Sequence, residues 1–180
     1  TPPNNHHKTQ PKQTAKNRSR VHKITEKQQP LLMKMRTSEK VFVCAINGSA
    51  AGGGLGLALA SDYRVCSPEA KIASAFFRLG LSPDGGTTWL LPRLVGNQVA
   101  RKFFFNSEVW SAKQALDYGA VDELADPSIL LDRAIEVARE WGKWSISSRK
   151  GTKQLLDAST STFFETQLHF EQSLMVASSQ

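Results

Sequence analysis

The sequence predicts an α/β protein. Short apolar runs rich in β-branched residues alternate with helical patterns along most of the chain. One of these runs feeds a glycine-rich turn that opens a helix, over 41–60. The chain has 180 residues and 40% apolar content, enough for one respectable core.

The elements follow in order. Order improves from Ile24 to Arg36, where Pro30-Leu-Leu-Met-Lys-Met35 has helical character. Val41-Phe-Val-Cys-Ala-Ile46 is apolar with no helical polar face, and it reads as a buried strand. A helix is expected over 54–60, then strands near 63–66 and 71–74. Helices follow over 87–95 and 98–106, with a third from Ser111 to Tyr118 that Gly119 stops. A strand around Val121 precedes helices over 128–141, 147–158 and 162–177.

The turn between the first strand and its helix is where chemistry is expected. Gly52, Gly53 and Gly54 let the backbone bring a bound group against bare amides. The helix start adds free N–H donors and the positive end of its dipole, so an oxygen carrying negative charge is stabilised there. The same pattern also serves as a tight strand-to-helix turn with no ligand. Two better-known glycine loops fail on spacing. The dinucleotide fingerprint meets Leu59 or Leu57 at its last position, and the phosphate loop lacks its Lys because Leu55 follows Gly53 and Gly54.

Charge is uneven. Residues 1–40 hold ten Lys/Arg against Glu26 and Glu39, while the other 140 residues hold 13 basic and 14 acidic side chains. Residues 1–24, rich in Gln, Asn, Lys, Thr and Pro, are expected to form a disordered basic tail. No aromatic is interleaved among Lys8, Lys12, Lys16, Arg18, Arg20 and Lys23, so nucleic-acid binding ranks last among the partners considered. The tail is acid-poor like an organelle transit peptide, but it lacks the apolar stripe. No membrane span is expected. Cys44 and Cys66 fit reduced, buried thiols of a cytoplasmic protein, and the four histidines show no metal-ligand spacing.

Several ordered segments carry a family resemblance. These are Ala45-Ile-Asn-Gly48, Ala60-Ser-Asp-Tyr-Arg64, Ala70-Lys-Ile-Ala73, Gly80-Leu-Ser-Pro-Asp-Gly-Gly-Thr-Thr88, Leu91-Pro-Arg-Leu-Val-Gly96 and Ser111-Ala-Lys-Gln-Ala-Leu-Asp-Tyr-Gly-Ala-Val121. Together, from Lys40 to about Ala177, they make the chain similar to the crotonase family, the enoyl-CoA hydratase/isomerase superfamily. The resemblance implies a spiral of ββα units, present in part over 25–110, and a helical trimerisation region over 111–180. It implies an acyl-CoA substrate, with coenzyme A as part of that substrate and no separate cofactor, and a homotrimer or hexamer. Neither the family's upstream donor loop nor its last helix is found, so the chain is expected to be truncated at both ends relative to the family.

The resemblance also assigns residues. Gly53 supplies one of two backbone N–H groups that hold the thioester oxygen as it becomes an enolate. The hydratase acids fall at Gly56 and Phe76, so paired-carboxylate activation of water has no residues to perform it. Asp84 matches the isomerase pattern, in which one acid moves a proton from C2 to C4. Gly52, Gly54, Phe76 and Trp89 are expected to contact substrate, with Phe77 and Leu79 adding to an apolar wall. Pro83-Asp84-Gly85-Gly86 is also ordinary turn chemistry, with Asp84 capping the next helix. Dehalogenases of the family place a nucleophilic aspartate at this position but also need a histidine, and none lies between His22 and His169. An acyl-CoA isomerase is the first expectation, and a catalytically impaired family fragment acting as an oligomer partner is the alternative. Another crotonase activity, hydratase or dehalogenase, ranks below both.

Overall fold

The computed structural model describes residues 11–179. It opens with α1 (Pro11–Thr37), which runs into β1 (Val43–Ile46) and β2 (Ala50–Ala51) and then α2 (Gly53–Ala60). The unit repeats as β3 (Tyr63–Cys66), β4 (Lys71–Ala73), a short 3-10 turn, α3 (Thr87–Val95) and α4 (Asn97–Phe105). β5 (Val109–Ser111), α5 (Ala112–Asp117) and β6 (Glu123–Leu124) follow. Three helices close the chain: α6 (Leu130–Gly142), α7 (Ile146–Ala158) and α8 (Phe164–Ser178).

The first strand of each unit enters one sheet and the second enters another. β1, β3 and β6 form a parallel sheet, with Val43 beside Tyr63 and Ile46 beside Cys66. β2 lies parallel to β4, and β5 pairs antiparallel to β4, with Ile72 opposite Trp110. The first two turns of chain each add one rung to both sheets and then a helix, as in a spiral of ββα units, while the third runs β5, α5 and β6 and adds its rungs in the reverse order. The main core lies between the second sheet and α2–α5, where Leu55, Leu59, Ile72, Leu91 and Phe103 are buried. α2 is apolar on every side because it runs through this core. α6 covers the other face of the first sheet with Leu130, Ala134 and Val137, spaced one helical turn apart. Arg133 grips the Glu123 carboxylate through Nε at 2.7 Å and a second nitrogen at 3.1 Å, holding α6 to β6.

Two sequence expectations change. The tail expected to be disordered over 1–24 is helical from Pro11 onward, while residues 1–10 lie outside the described residues. Pro11 occupies a first-turn position where its missing N–H costs nothing, and Lys, Gln, Ala and Arg then supply propensity without an apolar period. Ser111 is the cap of α5 rather than its first turn. Its hydroxyl accepts from Gln114 N at 3.2 Å, and the Gln114 side chain accepts from Ser111 N at 3.0 Å. Among the described residues no helix is long and apolar enough to cross a membrane.

Cys66 is fully buried and Cys44 half-buried, on neighbouring strands of the first sheet, and neither forms a disulfide. Burial pushes the Cys66 thiol up from 9.0 to about 11, and burial also raises Cys44. A neutral thiol stays in place below pH 9, and its contribution to stability is lost as pH rises through about 11. In the folded protein Cys66 should therefore resist iodoacetamide at pH 8 and react once urea unfolds the chain. Peptide mass mapping before and after denaturation checks this.

Candidate active site

The site is built on the turn from β2 into α2. Gly52 takes φ 53°, a left-handed conformation open to glycine, and it caps α2 without a side-chain hydrogen bond. The first bond inside the helix runs from Gly56 N to Gly52 O at 3.2 Å. The N–H groups of Gly53, Gly54 and Leu55 therefore have no acceptor within the helix. A Cβ added at Gly52 or Gly54 meets nothing within 4 Å, so open space faces the turn.

Gly56 is glycine for a different reason. A Cβ there would fall inside the van der Waals shell of Gly85 O and lie 3.0 Å from Gly85 C and Cα. One turn beyond Gly53, α2 is thus pressed backbone to backbone against the loop that carries Asp84. Helix propensity alone makes Gly56→Ala stabilising by about 1 kcal/mol. We expect the reverse, a loss of about 1–3 kcal/mol, because the rigid Gly85 carbonyl cannot yield as a flexible side chain would. The urea midpoint of the variant checks it.

Asp84 lies in a loop fixed through its backbone. Gly85 and Gly86 adopt φ 61° and 71°, and the Asp84 carbonyl accepts from Thr87 N at 3.1 Å and Thr87 Oγ1 at 2.8 Å. Gly86 caps α3, and no side chain takes part. The expectation that Asp84 caps this helix therefore does not hold. Its carboxylate is half-buried and makes no hydrogen bond or ion pair among the described residues.

The other expected contacts divide. Phe76 is buried in the core. Phe77 is more than a third exposed and meets Phe105 edge to face at 5.4 Å, and Leu79 lies open to solvent. Trp89 is not at the glycine turn. It lies under the Arg93 guanidinium at 3.5 Å and lines a cavity of about 520 Å³ at the other end of α2, near Leu59 and Ser61. Gln28 of α1 was not legible in the sequence. Its Nε2 donates to Gly53 O at 2.6 Å, and the same amide lies 3.4 Å from where a Cβ at Gly85 would be, so it braces both glycine segments. One of two adjacent glutamines in a basic stretch gave no signal for this role.

Comparison with known proteins places the chain in a family. The chain is 35% identical over 142 residues to the 1,2-epoxyphenylacetyl-CoA isomerase of Escherichia coli, covering 79% of this chain and 54% of that protein. It is 33% identical over 133 residues to the short-chain-enoyl-CoA hydratase of Clostridium acetobutylicum, covering 74% and 51%. The crystal structure of an enoyl-CoA hydratase/isomerase from Cupriavidus metallidurans superposes with a TM-score of 0.82 at 29% identity, over 89% of this chain and 60% of that one. The chain therefore spans about half the length of the curated relatives it matches. The fold is the mixed α/β spiral with C-terminal helices of these neighbours. The family profile for enoyl-CoA hydratase/isomerase matches residues 8–180, nearly the whole chain, and this chain belongs to that family.

Proposed function

We propose that this chain is an acyl-CoA isomerase that moves a double bond through a thioester enolate, with Asp84 as the proton carrier and the Gly53 N–H as an oxyanion donor. The observation that carries the reading is the contact of Gly85 with Gly56. It holds the loop bearing an unpartnered carboxylate against the first turns of α2.

On a 3-enoyl thioester, Asp84 removes a proton from C2 and the electron pair moves onto the carbonyl oxygen. The free N–H groups at the start of α2 stabilise that oxygen as it gains charge. Return of the proton to C4 restores the carbonyl and leaves the double bond between C2 and C3. The packing at Gly56 also favours isomerisation over hydration, because a hydratase acid at position 56 would have to displace the Gly85 backbone. The name of the Escherichia coli relative is consistent with isomerase chemistry, and that of the Clostridium relative leaves the family's other activity in view.

A second reading is a catalytically impaired member that serves as an oligomer partner. It is favoured by the start of α8, where Phe164 and the preceding cap residue Phe163 are 78% and 87% exposed. One experiment separates them. A 3-enoyl-CoA is incubated with the chain, growth of the conjugated-thioester absorbance is followed, and the product is checked by mass spectrometry for added water. Isomerisation without hydration supports the first reading. No turnover by a trimeric or hexameric species, sized by light scattering, supports the second.

A further inference from the structure

The cavity beyond α2 belongs to none of this chemistry. It lies among α2, α3, α6 and α7, with Leu59 and Leu90 on its floor and Trp89 and Trp144 at its mouth, and its volume of about 520 Å³ suits a small organic ligand.

Its charged groups are mostly cations, and they are unequally matched. Lys153 is paired with Asp62 and Arg36 with Asp157, so both are neutralised. Among the described residues, Arg93 and Arg149 have no carboxylate partner. Arg93 donates to Trp89 O at 2.8 Å and to Thr160 Oγ1 at 3.0 Å, and Arg149 donates to Trp144 O at 3.0 Å and to Glu39 O at 2.9 Å. Arg64 also lines the cavity, but its side chain is 5% exposed and already matched, pairing with Asp122 at 2.8 Å and donating to Ser61 O at 2.7 Å. The two cations left to receive an anion are therefore Arg93 and Arg149.

We propose that this cavity binds a small monocarboxylate with an aryl or alkyl body. The leucine and indole walls bury the body, and the unmatched guanidinium groups take the carboxylate, whose two oxygens fit the planar fork of arginine. The site is separate from the glycine turn. Gly53 and Leu59 lie at opposite ends of α2, roughly 9 Å apart along its axis. The inference does not rest on the isomerase reading.

Calorimetric titration of the full chain with octanoate and with phenylacetate tests it. The matching alcohols, octanol and 2-phenylethanol, serve as neutral controls. Saturable binding of the acids is expected, with the alcohols at least about tenfold weaker, the ratio that one charge-assisted hydrogen bond supplies. Arg149→Ala should weaken the acids by a similar factor. Thr152→Phe, which adds bulk at the exposed rim of the cavity and removes no cation, should abolish binding. Asp84→Ala should leave binding unchanged. Equal binding of acid and alcohol overturns the charge assignment. No saturation with the wild type, or full affinity in a folded Thr152→Phe variant, overturns the site.

Discussion

On the proposed isomerase reading, Asp84→Ala should lower the rate of double-bond migration by about 10²–10⁴-fold, the usual contribution of a positioned acid or base. The same substitution leaves the fold nearly untouched. The carboxylate makes no hydrogen bond or ion pair among the described residues, so its removal leaves no partner unsatisfied. The loop keeps its shape through the Asp84 carbonyl, which still accepts from Thr87 N and Oγ1, and through the left-handed Gly85 and Gly86. The change in unfolding free energy should stay within about 0.5 kcal/mol. Asp84→Asn makes the sharper comparison, because it keeps the shape while removing the charge and the ability to take a proton. Steady-state kinetics beside urea denaturation read both quantities. A variant that is folded and fully active removes Asp84 from the mechanism. A variant that is unfolded shows that the carboxylate supports the loop after all.

What the sequence disclosed follows from how far each signal travels along the chain. The helix over 87–95 was legible to the residue because Gly86 and Gly96 flank it and both take positive φ. The strand expected over 41–46 was legible from its apolar run, and the structure begins it two residues later, at Val43. β2 and β5 were not, since two- and three-residue strands are defined by partners elsewhere, as Ala50 is by Ile72 and Val109 by Ala73. Helix α1 from Pro11 to Lys23 has no apolar stripe to announce it. Within the site, the sequence marked the glycines but not their separate duties. Gly52 supplies a positive φ, whereas Gly56 admits the Gly85 backbone, and only the contact distinguishes the two. Trp89 was expected to contact substrate. The course of α3 carries it to the cavity at the far end of α2 instead.

Lys153→Ala should be strongly damaging although it lies away from the candidate active site, at about 3 kcal/mol or more. Its ammonium group on α7 donates to Met35 O at 2.9 Å and Lys40 O at 3.1 Å and pairs with Asp62 at 2.9 Å. Both side chains are 12% exposed, so solvent only partly screens the pair. With the lysine gone, Asp62 keeps the bond from Phe42 N at 2.9 Å but loses its counter-charge, and the two carbonyls lose this donor. An uncompensated, mostly buried carboxylate costs far more than an exposed ion pair gains. The loss compares with a total stability of about 5–15 kcal/mol for a typical domain. Lys153→Met keeps the apolar stem, so a similar loss in that variant assigns the effect to charge rather than to packing. Adding Asp62→Asn to Lys153→Met should then recover part of the stability, because the double variant leaves no buried charge alone. Strictly additive losses in that double-mutant cycle would mean that Lys153 acts through the Met35 and Lys40 carbonyls, as a clamp on the chain between α1 and β1.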